Sequence, residues 1–215
     1  MRNFLSYAFR PFFLLHGLFA ISSIIIWMFA WHGAGPDSLP ADITYWHAHE
    51  MLVGFAMAAI AGFLLTAVAT WTGRPPLSGV PLALLVLAWV AGRVVMGLSG
   101  QLLPGIVAVV DMLFPVLLMI FVAREVLSAG NKRNRPVVFI VGMLALFNLL
   151  FHLVKLGIIP TEIGADRIAL HLLIHVILLL VTVIAGRIVP NFTGNWLRAR
   201  GMTDLPVSSA QLEIG

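Results

Sequence analysis

The chain has 215 residues, 60% of them hydrophobic and 10% charged, with a net charge of +4 and no cysteine. A soluble domain carries about 25% charged residues, so this composition excludes one. The missing cysteine excludes disulfides, cysteine-ligated iron–sulfur clusters, c-type haem attachment and zinc-thiolate sites.

Apolar runs of membrane-spanning length recur along the chain and predict an all-α, polytopic transmembrane bundle of about six spans. The N-terminal MRNFLSYAFRPFF has the basic start of a signal peptide. The apolar stretch after it is too long for a signal core and no A-x-A site closes it, so it reads as a retained first span. Spans are expected near Phe12–Trp31, His47–Trp71, Pro81–Ser99, Leu102–Ala123, Val137–Val154 and Arg167–Val189. GAGPDSLP and TGRPPLSG break the chain after the first two, Gly100 and Pro104 mark a tight turn after the third, and AGNKRNRP separates the fourth and fifth. Residues 1–200 read as one six-span membrane domain, and residues 201–215 as a polar cytoplasmic tail.

Basic residues gather at cytoplasmic span ends. With both termini in the cytoplasm, Arg2, Arg10, Arg74, Arg124, Lys132, Arg133, Arg135, Arg187, Arg198 and Arg200 lie at or near the inner face, and Lys155 and Arg167 outside. Topology thus accounts for the basic residues, and no nucleic-acid partner is expected. AGRVV at Ala91–Val95 and AGRIV at Ala185–Val189 sit on spans of opposite direction, but their flanks do not align, so no inverted repeat is read from them.

With that topology, His47 and His49 open the second span at its outer end, and His32 follows the first span on the same side. His152, His171 and His175 lie roughly 3, 6 and 12 Å below the outer boundary of their spans. Three spans thus contribute to one histidine layer. Imidazole is the commonest biological metal ligand, so a metal or haem site is the functional reading. The structural reading is a set of imidazoles hydrogen-bonded to neighbouring groups or resting in the headgroup region. His171 and His175, four residues apart, share a helix face, as do His47 and Glu50, three apart. His49 points about 200° from His47, so the two do not serve one metal unless the helix starts irregularly. Glu50 is the candidate to orient a ligating histidine or to handle protons.

The stripe Gly54, Ala58 and Gly62 reads as close helix packing or, beside histidine ligands, as room for a flat macrocycle. Without cysteine, any haem is non-covalent and b-type. Copper is the second candidate, because Met51 and Met96 bring thioethers to the outer side. Arg93 and Asp111, roughly 9 and 13 Å below the outer face on adjacent spans, read as a buried ion pair; the alternative puts Arg93 on a haem propionate. Asn148, four residues before His152 and on its face, reads either as a support for that histidine or as a link between two helices. His16, alone near the inner face, is expected to bond locally.

WHAHEMLVGFAMAAIAGFLLTAVATWTGRPPLSG at Trp46–Gly79 resembles the signature of the NnrS family, and so do FRPFFLLHGLFA, NLLFHL and GRIVPNFTGNWLR, in the same order along the chain. The resemblance implies a bacterial inner-membrane protein carrying haem and copper, linked to denitrification and nitric oxide stress. Residue by residue it points to His47, His49, Glu50 and His152; His171 and His175 are nominated on spacing and depth. Family members typically run to about twice this length, so the chain resembles an N-terminal half: either a short member completed by a second copy or by a partner supplying the other spans, or a fragment or diverged protein. Ala69–Thr70 stands where the family pattern has a proline-containing pair.

Three functions are expected to compete. The first is a nitric-oxide-handling haem or haem–copper protein whose electrons come from quinol or a partner. In it His47, His49, His152, His171 and His175 are the candidate ligands of haem b or metal, Arg93 contacts cofactor and Glu50 is the catalytic candidate. The second is a dimerising transporter or metal-delivery protein, and the third a non-catalytic assembly subunit.

Overall fold

A computed structural model describes residues 3–130 and 132–202 of the chain. Arg2 and the tail from residue 203 onward lie outside the described residues. Among the described residues there is no strand. Six helices are long and apolar enough to cross a membrane: α1 (Phe9–Trp31), α2 (Ile43–Thr72), α3 (Gly79–Gly97), α4 (Pro104–Ser128), α5 (Arg135–Lys155) and α6 (Ala165–Ala199).

Local signals account for several boundaries. The Asp42 carboxylate caps α2 by accepting the Tyr45 N–H at 3.2 Å. Pro104 and Pro136 stand in the first turns of α4 and α5, where a missing N–H costs nothing. α6 extends ten residues past its expected end at Val189, because Pro190 is accommodated inside the helix rather than ending it. A proline is tolerated inside a membrane helix when neighbouring groups satisfy the freed carbonyl.

Consecutive helices pack on one another in the pairs α3–α4, α4–α5 and α5–α6, while α1 and α4 both pack on α2. Half of the apolar window of α2 and of the segment containing α5 is buried, against 11% for α1 and 22% for α6. α2 and α5 therefore form the centre, and α1 and α6 the periphery. The exposed faces are apolar too, with Phe13, Leu18, Ile21 and Phe29 on α1 and Leu178, Leu179 and Val181 on α6. A bilayer surrounds an apolar outside at no cost, so amphipathic periodicity is weak and packing depends on shape.

The 33–42, 98–103 and 156–164 loops share one end of the bundle, called here the Tyr45 end. There the Gly100 N–H donates to the Ser38 carbonyl at 2.9 Å. A Cβ on Gly100 would stand 2.3 Å from the Leu39 carbonyl oxygen, so only glycine permits this crossing. At the opposite end, Arg74 pairs with Glu125 and Arg187 donates to Asn134 Oδ1 at 2.6 Å.

Between Glu50 and Ala56, α2 widens into a π-helical segment. Neighbouring helices support it. The Trp89 indole N–H donates to the Gly54 carbonyl at 2.9 Å, and His16 Nδ1 donates to the Phe55 carbonyl at 3.0 Å. The His16 ring also stacks on Phe55 with 4.0 Å between centroids. His16, expected to bond near the inner face, instead reaches across from α1 to this segment of α2 and supports it. π-Helical turns concentrate at functional sites, and this one begins at the buried glutamate.

Candidate metal centre

A buried polar cluster lies between α2, α3, α4 and α5, near the Tyr45 end. His49, Glu50, Arg93, Asp111, Asn148 and His152 are each 9% exposed or less. Asp111 is the hub. Its Oδ1 pairs with the Arg93 guanidinium. Its Oδ2 accepts from His152 Nε2 and from Asn148 Nδ2, each at 2.8 Å, and stands 3.4 Å from His49 Nε2. Arg93 also donates to Glu50, whose Oε1 lies 3.0 Å from His49 Nδ1. The Asn148 amide oxygen lies 2.8 Å from His49 Nε2.

Glycines make this approach possible. A Cβ on Gly54 would lie 2.8 Å from the nearer Arg93 nitrogen and 2.5 Å from the Phe19 ring, and a Cβ on Gly92 would lie 3.0 Å from Asp111 Oδ1. A Cβ on Gly62 would meet Phe13 and Phe12. The small-residue stripe on α2 is therefore filled by α1 side chains and by Arg93, which is the close-packing reading.

One ligand atom from each of His49, Asp111 and His152 falls within a single 4.8 Å group, the spacing of a shared metal ion. Two imidazoles and a carboxylate suit zinc, copper or iron. For metal–ligand bonds of about 2.0–2.2 Å, ligand atoms of a tetrahedral site lie roughly 3.3 Å apart. The 3.4 Å His49–Asp111 spacing already matches, and the 2.8 Å His152–Asp111 contact has to open slightly. Charge points the same way. One guanidinium faces two carboxylates, so a further positive charge, a proton or a metal cation, completes the cluster in a medium where a lone charge is expensive. Around it, Met112 Sδ lies 3.4 Å from Asn148 Nδ2. A haem does not fit between these two histidines: their ring centroids are 5.6 Å apart and both rings converge on the same carboxylate oxygen.

The other nominated histidines stand apart from the cluster. His47 stacks on Trp27 with 4.3 Å between centroids, its Nδ1 buried without a partner among the described residues. His49, in the regular first turns of α2, and Glu50, where the π-helical segment begins, both reach the cluster, while His47 faces α1. His171 and His175 are exposed on α6; their Nδ1 atoms donate to the carbonyls of Arg167 and His171 at 2.8 and 2.6 Å. The single histidine layer expected from depth is thus divided between a core cluster and an outer face. Arg93 and Asp111 form the expected pair, but the role of Asp111 as a common partner of both histidines was not read from sequence. The available signal was an aspartate on α4 at the depth of the histidines.

A cavity of about 200 Å³ reaches the cluster from the Tyr45 end, lined by Tyr45, Trp46, Met96, Val107, Phe151 and His152 among others. A second, of about 290 Å³, reaches it between α1 and α3, with Glu50 and Arg93 in its wall. Trp46 borders both, its indole N–H donating to the Met96 carbonyl at 3.0 Å.

These features define a multi-pass helical membrane protein with a buried histidine–carboxylate cluster able to hold a metal ion. The chain belongs to the NnrS family, whose model, described as NnrS protein, matches residues 3–213. No curated protein and no solved structure matches it.

Proposed function

We propose that this chain is a metal-dependent membrane protein of the nitric oxide response, with its metal held by His49, Asp111 and His152. The observation that carries the reading is the convergence of those three ligand atoms within 4.8 Å inside the bundle. Copper is the proposed metal. The imidazole donors suit it, and the Met96 thioether lines the same cavity as His152. Family membership supports the nitric oxide assignment, and the cavity beside His152 offers an apolar approach for a small neutral gas. Bound there, the metal supplies a coordination position for that gas. Asp111 holds both imidazoles in register, Arg93 balances the carboxylates, and Glu50 and Asn148 orient His49.

Orientation enters the proposal from the charge pattern: the Tyr45 end faces the periplasm and both termini the cytoplasm of a bacterial inner membrane. Haem, if carried, is assigned to the outer face of α6. There His171 and His175 have their Nδ1 atoms tied to backbone carbonyls, with no hydrogen bond to Nε2 among the described residues. That is the tautomer of a ligating imidazole. A second copy of the chain, or a partner helix, supplies the opposite ligand.

The test is metal analysis of protein purified from cells supplied with copper, iron and haem, with visible spectra before and after reduction and nitric oxide addition. A metal lost from His152→Ala and a nitric-oxide-sensitive signal support the proposal. Metal-free, spectroscopically silent protein sinks it and favours a non-catalytic assembly role.

A further inference from the structure

The cavity between α1 and α3 has no part in holding the proposed metal, yet it is built at its inner wall. Glu50 and Arg93, both buried, border it, with Phe19, Leu39, Trp46 and Gly97 around them. Arg93 Nε is buried and finds no acceptor among the described residues. An orphan guanidinium N–H inside a membrane protein is costly and calls for an acceptor.

Four features define what that acceptor belongs to. Val94 and Leu98, also on the cavity wall, are 54% and 38% exposed on the apolar flank of α3, so entry is from the bilayer. The walls are chiefly apolar and include two aromatic rings. Arg93 already faces two carboxylates, Glu50 and Asp111, so a further anion would add uncompensated negative charge; fatty-acid and phospholipid headgroups are disfavoured. The volume of about 290 Å³ lies just below the usual ligand-pocket range of about 300–1,000 Å³, which suits one ring system with its tail left in lipid.

We infer that this cavity is the headgroup site of a lipophilic quinone or quinol. A ring oxygen accepts from Arg93, and in the reduced form a hydroxyl donates to Glu50. The isoprenoid tail leaves along α3 into the bilayer. Glu50 is also the partner of His49, so a bound headgroup stands one side chain from that proposed metal ligand. The binding inference does not depend on a metal being held there.

The experiment uses the full chain in lipid nanodiscs with a photoreactive azidoquinone, competed by decylubiquinone and, separately, by palmitate. Labelled peptides are mapped by mass spectrometry, and metal content is measured on the same samples. The diagnostic variant is Gly97→Phe. Gly97 lines the cavity and a Cβ there meets nothing within 4 Å, so a side chain can start at this position without a clash and its ring is meant to occupy the cavity. Labelling is expected on α1 and α3 around Phe19 and Val94, displaced by decylubiquinone and not by palmitate, and reduced about tenfold or more in Gly97→Phe. Undiminished labelling in a folded Gly97→Phe protein overturns the inference, as does displacement by palmitate alone. If the metal reading fails, the metal assay reports it independently of the labelling.

Discussion

Asp111 and His152 meet at 2.8 Å across 41 residues of sequence, joining α4 to α5 through a single carboxylate oxygen, Oδ2. The same oxygen takes the Asn148 amide, and the other oxygen takes Arg93. One side chain thus ties together three helices, and Asn148, on one of them, also reaches His49.

Asp111→Asn should be among the most damaging single changes in the bundle. It leaves the Arg93 guanidinium with one carboxylate and breaks the buried cluster, a loss of about 3–5 kcal/mol for such a pair. Removing both partners, as in Arg93→Met with Asp111→Leu, should cost less than the sum of the two single changes. Thermal unfolding in detergent across the double-mutant cycle measures the coupling. Additive effects would mean that the pair is not coupled.

Gly54→Ala should destabilise by about 1–3 kcal/mol, the usual cost of overpacking. Its Cβ would stand 2.5 Å from the Phe19 ring and 2.8 Å from the Arg93 guanidinium. Gly142→Ala is the control, since its Cβ meets only the Met119 sulfur at 3.6 Å. Equal melting temperatures for the two variants would contradict the packing described around Arg93.

The π-helical segment should depend on its two side-chain donors. Trp89→Phe keeps a ring but leaves the Gly54 carbonyl without the indole N–H, at about 1–3 kcal/mol for an unsatisfied buried acceptor. His16→Phe removes the N–H that reaches the Phe55 carbonyl. Both variants should lower the melting temperature and, by letting α2 relax, weaken metal retention. Unchanged retention in both would separate the π segment from the site.

The spans were legible because apolar runs of this length have few alternatives, and α1 ends at Trp31 where the pattern places it. α6 was underestimated because Pro190 reads as a terminator in sequence, whereas the helix carries it. Depth was legible for the histidines; direction was not. His171 and His175 share a face as the i, i+4 rule requires, but which way that face points depends on the packing of α6 against α5. The alternation between His47 and His49 was also readable. The π segment that begins at Glu50 leaves no mark in the residue pattern, because its partners, Trp89 and His16, come from other helices. The Arg93–Asp111 pair followed from comparable depth, roughly 9 and 13 Å below the same face, on adjacent spans. The convergence of both histidines on Asp111 required the α4–α5 packing.

The central claim is a metal ion held by His49, Asp111 and His152, and metal stoichiometry of the purified full chain tests it most directly. The wild type and the His47→Ala, His49→Ala and His152→Ala variants would be compared by elemental analysis after growth with copper and iron. About one ion per chain in the wild type and in His47→Ala, with loss in His49→Ala and His152→Ala, is the predicted result. A metal-free wild type, or an ion kept when His49 and His152 are both removed, would contradict it.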